Sequence, residues 1–574
     1  MTPSMPELAP NESFGSGISE SLLIAALAFG PLAFGCVESW SRAVLSILVL
    51  LAFLFFPFER PLVDTRLYRT LIPGILLVFG IGIWQRFNPR PLCAPSTLWP
   101  FTVLSDATGD ALGLWSIYIL WLACASQIFA DFKSWRRMSW AIFIIGAFVA
   151  VLGIMQVGQG NHELYLFREV GESRQPFGPF YDRDHAASLL CISALVGFGI
   201  FGSRWSAWKR LRSPGKQADL IATQFLVFFL LVVVIAGIDA TCSRGGMLSF
   251  LAAIFTIGIL AAGFAKERWA RWLIRLGVIL GVSLVIAMLF QSTRWERFKE
   301  VPIRVSAQIR LNMYGWGLRL FRDFPLTGVG FGAFSTAYPA YQAKDFEGLV
   351  QHVHNDWLEI LIESGIVGFL AYVMGIALLL RGAYVSWRAN TSREMRFLIG
   401  SLLAASTAFI VHTMGEFSFH IPGNAIFFLA LLMLLGAPTL DNHTKKFLKP
   451  IPRWAAVTLR LFAVSLGFAT IRPVAAEWYA HQSLLGPKES SPYYLTRAFE
   501  WDSKPEYQYY LGATYLNLSE SNPSASTLLL RKALIHSESA LQVEPANDRF
   551  RYLEGAILWR LGRIDDARRL IQPG

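Results

Sequence analysis

The sequence predicts an all-α polytopic membrane protein of about 12–13 transmembrane helices with a small helical domain at its C-terminal end. Three observations lead there. Of 574 residues, 54% are hydrophobic and only 16% charged, too little polar surface to cover a soluble globule. The apolar residues are gathered into separate blocks of membrane-spanning length. The basic residues fall between those blocks in alternation.

In chain order the expected spans are 18–37, 42–58, 70–87, 111–130, 138–156, 185–202, 220–238, 246–265, 273–290, 358–380, 397–414, 421–437 and 454–471. The first is a poor secretory signal, because residues 1–20 hold no Lys or Arg. Arg60, Arg66 and Arg69 follow the second block, Lys133, Arg136 and Arg137 the fourth, and Arg204, Lys209 and Arg210 the sixth. The same holds after the eighth (Lys266, Arg268), tenth (Arg381, Arg388) and twelfth (Lys445, Lys446). Positive loops stay on the cytoplasmic side, so this alternation predicts a cytoplasmic N-terminal tail (1–18) and external loops at 88–110, 157–184 and 291–357. It also accounts for the net charge of +11 as a topology signal, and nucleic acid is not an expected partner.

A membrane body over 19–437 is thus followed by a basic cytoplasmic linker (438–453), a last span (454–471) and a soluble segment (474–574) expected outside. In that segment YYLGATYLNL (509–518) and YLEGAILWRLGRIDDARRLI (552–571) share a Leu-Gly/Gly-Ala pattern, and AFEWDSKPE (498–506) pairs with ALQVEPAND (540–548). The pattern resembles about two degenerate tetratricopeptide repeats, a short array that needs the body or a protein partner to cover its faces. The five cysteines, at 36, 93, 124, 191 and 242, have neither a disulfide framework nor metal-type spacing.

Chemistry is expected in residues 352–368, HVHNDWLEILIESGIVG, where a long polar loop enters an apolar helix. A histidine there is suited to take a proton from an acceptor hydroxyl at neutral pH. Asn355 and Asp356 are explained by helix capping, which leaves His352 and His354 to be accounted for. Two histidines two residues apart do not share a helix face, so no metal site is expected. The loop 291–322 carries Arg294, Arg297, Lys299, Arg304, Arg310, Arg319 and Arg322 against Glu296 and Glu300. Cations on an external loop run against the topology bias, and guanidinium groups suit diphosphate oxygens. An amphipathic helix at the headgroups accounts for most of them equally well. Arg244, in CSRGG, stands alone at another external membrane edge. GVGFG (328–332) lacks the Lys-Ser/Thr of a phosphate loop and reads as a tight turn. DRD (182–184) suggests a metal-binding aspartate pair, but a structural or acceptor-contacting role suits an external loop better.

Four segments in order resemble the O-antigen ligase and polymerase superfamily of membrane glycosyltransferases. GPFYDRDHAASLL (178–190) is similar to its Gly-x-Phe-x-Asn-x-Asn-His-x-Ala segment, and TCSRGGML (241–248) to its Ser-Arg-Gly segment. Residues 309–339 resemble Arg-x-x-x-Trp…Pro-Leu-x-Gly-x-Gly, and 354–368 resemble His-Asn-x9-Gly-x-x-Gly. Asp182 and Asp184 replace the usual asparagines, Tyr314 the usual Trp, and Phe369 a Thr or Val. The likeness extends over 178–437.

The resemblance implies a metal-independent, cofactor-free enzyme of the bacterial inner membrane that works on its periplasmic side. It implies a polyprenyl-diphosphate-linked glycan as donor and lipid A-core or a growing glycan as acceptor, with membrane lipid around the body. His354 would be the catalytic residue and Arg244 and Arg310 would bind the donor diphosphate, with His352, Asn355, Asp356, Asp182, Asp184 and His185 in support. The family admits an O-antigen ligase of lipopolysaccharide or surface polysaccharide biosynthesis, a repeat-unit polymerase or a protein O-oligosaccharyltransferase. A polysaccharide transporter is the non-enzyme rival, disfavoured by nearly charge-free spans and no internal repeat in the body.

Overall fold

The computed structural model describes residues 14–92, 99–160, 163–165, 167–171, 175–207, 214–263, 267–289, 303–343, 346, 350–437 and 447–571. Cys93, Arg294, Arg297, Lys299 and the 438–446 stretch of the linker lie outside them.

The protein is an all-α polytopic membrane protein. Its helices are α1 (Phe14–Leu32), α2 (Ser39–Leu54), α3 (Arg66–Arg86), α4 (Ser105–Ile128), α5 (Phe132–Gly158), α6 (Arg183–Ala207), α7 (Pro214–Ala240), α8 (Arg244–Ala262) and α9 (Arg268–Leu289). There follow α10 (Ile303–Asp323), the single turn α11 (Phe334–Ala337), α12 (Asp356–Ala389), α13 (Arg393–His412), α14 (Pro422–Gly436) and α15 (Arg453–Leu485). The C-terminal helices are α16 (Ser491–Trp501), α17 (Pro505–Ser521), α18 (Ser526–Val543), α19 (Asp548–Arg560) and α20 (Ile564–Ile571). Among the described residues ten helices are long and apolar enough to cross a membrane. The expected second and twelfth spans fall on shorter apolar helices, α2 and α14, of 16 and 15 residues. At about 1.5 Å per residue neither reaches the roughly 30 Å of a hydrocarbon core. A two-residue antiparallel pairing, Leu62–Val63 with Phe447–Leu448, is the one strand pair among the described residues.

The chain divides into two units. The first comprises Met1–Ile75, Ser116–Val305 and Tyr372–Ser465. Its centre is α6, packed against α5, α7, α8 and α13, with 89% of its span buried. Apolar helices gain little from one another by hydrophobic burial in a bilayer, so close van der Waals approach and polar links carry the packing. Small residues supply that approach: a Cβ at Gly199 would overlap Ser401, and one at Gly246 would come within 2.6 Å of Ala187. Buried indole N–H groups supply links, Trp121 to the carbonyl of Leu23 (3.3 Å) and Trp135 to that of Leu434 (3.1 Å).

The second unit comprises Leu76–Trp115, Ser306–Ala371 and Leu466–Gly574. Met313, Trp316 and Leu320 form one face of α10 and enter a core with Phe101, Phe324, Val329, Phe334, Tyr338, Val353 and Ile362. α12 is interrupted at Gly365 (φ 65°, ψ −175°). The segment 325–330 lies in the break and bonds to both halves. Val329 and Gly330 donate to the carbonyls of Ile362 and Glu363 (3.0 and 3.1 Å), while Ile366 and Val367 donate to those of Pro325 and Leu326 (2.8 and 3.3 Å). Backbone groups freed by the interruption are thereby satisfied, as burial requires. Gln85, fully buried, donates to the carbonyls of Thr327 (2.7 Å) and Glu363 (3.0 Å) and accepts from the amide of Phe331 (3.3 Å). The fit leaves no room for a Cβ at Gly328, which would overlap the Glu363 carbonyl, or at Gly365, which would overlap that of Leu326.

α15 continues past residue 471 to Leu485, because its Ala476, Tyr479 and Ala480 pack with Ala498 and Tyr507. Beyond it, α16 to α20 pack in chain order. The repeated Leu-Gly/Gly-Ala pattern places Gly512 on α17 against α18 and Gly555 on α19 against Ile571 of α20, each where a Cβ would be crowded. Among the described residues, polar contacts tie this segment to the rest of its unit. Ser503 donates to Asp106 (2.9 Å), Lys504 pairs with Asp110 (3.7 Å), and Thr336 donates to Glu544 (3.3 Å).

Candidate active site

In the second unit the loop ahead of α12 is fixed residue by residue. Asn355 is the N-cap: its side-chain oxygen accepts from the amide of Leu358 (3.1 Å), as an N-cap does for the third helical residue. Glu359, 1% exposed, reaches back one turn. Its carboxylate accepts from the amide of Val353 (3.0 Å) and meets Nδ1 of His352 (2.8 Å). Val353 is fully buried in the core described above. Between these two anchors stands His354, half-buried, in a left-handed backbone conformation (φ 53°). A β-carbon makes that region unfavourable by roughly 1–2 kcal/mol, and outliers of this kind collect at functional sites. The Tyr314 hydroxyl holds the strained residue by donating to the His354 carbonyl (3.0 Å).

Arg310, half-buried, precedes Tyr314 by four residues on α10, so the two share a helix face. The structure therefore brings Arg310 to the side of α10 that addresses His354. Arg319 and Arg322 are exposed, while Met313, Trp316 and Leu320 fill the core. For them the amphipathic-helix reading suffices.

Asp356, Glu359 and Glu363 form a buried carboxylate stripe at i, i+3 and i+7 on α12, with 0%, 1% and 4% exposure. Acidic groups suit the positive end of a helix. Glu363 accepts from the amide of Phe334 (3.2 Å), which ties α11 to α12. The sequence reading included Asp356 and missed Glu359 and Glu363; acids in an otherwise apolar helix were the signal.

The first unit gathers the remaining expected residues. Asp182 caps α6, accepting from the amide of Asp184 (2.8 Å). His185 is buried, its ring edge-on to Phe417 (4.6 Å between centroids), and its carbonyl accepts from Asn424 (3.0 Å). Ser243 caps α8 by accepting from the amide of Gly246 (2.9 Å), which leaves Arg244 as the first helical residue. The close approach of Gly246 to Ala187 sets this cap beside the 182–185 segment. A cation at a helix start gains nothing from the helix dipole, whereas an anion there meets both the guanidinium and the free amides. Buried His412 completes the group, with Nδ1 3.4 Å from the Ser249 hydroxyl, and the sequence reading did not single it out.

Residues 226–373 match the family model of O-antigen ligase. The chain carries an O-antigen ligase domain. The matched range takes in three of the four segments that resembled the superfamily, with Arg244, Arg310 and His354, and begins after the 178–190 segment. No curated protein matches the chain. An O-antigen ligase domain in a multi-pass membrane protein supports a glycosyltransferase-type enzyme that handles glycan and lipid substrates.

Proposed function

We propose that this protein transfers a glycan from a polyprenyl-diphosphate carrier to an acceptor hydroxyl at the periplasmic face of the inner membrane, as an O-antigen ligase. The strained backbone of His354, held by Tyr314 one turn from Arg310, carries the reading. In this mechanism His354 takes the acceptor's hydroxyl proton as the acceptor oxygen bonds to the anomeric carbon. The bond from that carbon to the diphosphate breaks, and the polyprenyl diphosphate leaves with the electron pair. Arg310 holds the diphosphate and offsets its growing charge, a form of electrostatic transition-state stabilisation. An arginine suits this work because guanidinium stays charged and bonds phosphate oxygens in pairs.

The test is a gel of lipopolysaccharide and of lipid-linked glycan from a strain lacking the protein, complemented with wild type or His354→Ala. Long chains left on the carrier, with bare lipid A-core, are expected for the deletion and for the variant. Single repeat units with no long chains would instead make the protein a polymerase. Wild-type transfer by an inserted His354→Ala protein would remove His354 from the mechanism.

A further inference from the structure

The second unit contains a cavity of about 570 Å³ that the transfer chemistry does not use, within the size range of small-molecule sites. One wall is a single stripe of α3, Gly80, Ile83 and Trp84 at i, i+3 and i+4, followed by Phe87 just past the helix end. The stripe begins inside a membrane-spanning helix and runs to its end at Arg86. Past that end the lining becomes polar, with Asn88 and Arg90, and Trp99 completes it. The groove is thus apolar along the span and cationic at its mouth.

Two details set it apart from an ordinary interfacial aromatic belt. Trp84 and Trp99 stack on each other (5.4 Å between centroids, 13° between planes) yet stay 52% and 61% exposed, and Phe87 is 82% exposed. The mouth is also prearranged. Asn88 donates to the carbonyl of Pro100 (2.7 Å) and accepts from Nε of Arg90 (3.4 Å), and the Arg90 amide donates to the carbonyl of Thr102 (2.9 Å). Among the described residues no carboxylate pairs with Arg90, whereas neighbouring Arg86 is bonded to Ser105 and Asp106.

We infer that this groove binds an anionic phospholipid of the bilayer. The acyl chain lies along Gly80, Ile83 and Trp84, and the phosphate sits at Arg90. Phosphate oxygens match the guanidinium of Arg90 at the mouth, and an acyl chain matches the apolar stripe that runs along the span. A soluble phosphate would leave that surface bare. A neutral lipid would leave the cation without a partner.

The test uses the full-length protein in nanodiscs containing equal phosphatidylglycerol and phosphatidylcholine, labelled with a photoreactive form of each. Phosphatidylglycerol is expected to label residues 80–90 in preference to phosphatidylcholine. Arg90→Gln is expected to reduce that label about fivefold, the effect of one basic residue near a membrane surface. A Cβ at Gly80 meets nothing within 4 Å, so Gly80→Leu fills the groove without disturbing its neighbours and is expected to remove label from both lipids. Elution of each variant at the wild-type volume shows it folded. Equal labelling by the two lipids, or full labelling of Arg90→Gln, would overturn the proposal. Displacement of the label by soluble glycerol phosphate alone would also overturn it and make the mouth a phosphate site.

Discussion

The hydroxyl of Tyr314 donates to the carbonyl oxygen of His354 at 3.0 Å, joining the middle of α10 to the residue that precedes the cap of α12. The phenol places a donor at the point of backbone strain. Tyr314→Phe keeps the ring and loses the bond, about 1 kcal/mol in a typical case. Glycan transfer by the variant is expected to fall roughly three- to tenfold with unchanged expression. Equal turnover by wild type and variant would show that the bond does not position His354.

Glu359 satisfies two groups at once, the Val353 amide and His352. Glu359→Leu leaves the buried Val353 amide without its acceptor, a loss of about 1–3 kcal/mol, and removes the carboxylate that meets His352. Glu359→Gln retains one acceptor. The expected order of transfer activity is therefore wild type, Gln, then Leu, and thermal melting of detergent-purified protein is expected to follow it. Identical melting of the two variants would count against the carboxylate as the anchor of the loop.

Gly365 has a positive φ, and a Cβ there would run into the Leu326 carbonyl. Gly365→Ala is expected to cost upwards of about 2 kcal/mol, more than the helix-propensity gain of roughly 1 kcal/mol that Ala brings elsewhere in a helix. A lower melting temperature and reduced folded yield are the expected readouts. A higher melting temperature would mean that α12 can run straight.

Burial raises the carboxyl of Glu544 above its ordinary value; the Asn547 hydrogen bond opposes this, nearby Glu506 adds to it, and the Thr336 hydroxyl opposes it. A carboxyl raised in the folded state binds its proton more tightly there, so ionisation disfavours the fold. The penalty is absent below the ordinary value of 4.5 and grows as pH rises above it. Glu544→Gln is expected to slow amide exchange in α18 and α19 of the full-length protein at pH 7, with the difference vanishing near pH 4. A variant that exchanges faster at pH 7 would reverse the sign.

Hydropathy made most of this fold legible, because each expected block has a helix at its place, down to α9 (Arg268–Leu289) for the ninth. It was blind to the interruption of α12, since Ser364, Gly365 and Ile366 interrupt no apolar pattern. The break depends on residues about forty positions upstream, and only the three positive-φ glycines of GVGFG, at 328, 330 and 332, hinted at close backbone approach. At the site, His354 stood out by its chemistry and Asn355 by its capping propensity. Glu359 and Gln85 did not, because their work is to satisfy backbone groups that a sequence does not show as unsatisfied. The tail's Leu-Gly/Gly-Ala pattern was visible, and its cause is steric: Gly512 and Gly555 let successive helices approach.

The splice at Gly365 also has a mechanical consequence. The segment 325–330 is bonded into both halves of α12 and leaves α10 with only Phe324 between. Tyr314 returns from α10 to His354 at the head of the same helix. These links close a loop of rigid members: α10, splice, upper α12 and back to α10. A hinge at Gly365 cannot turn unless the splice unbonds from one half. His354 and Arg310 therefore travel together, and opening this unit to a substrate requires motion elsewhere than between them.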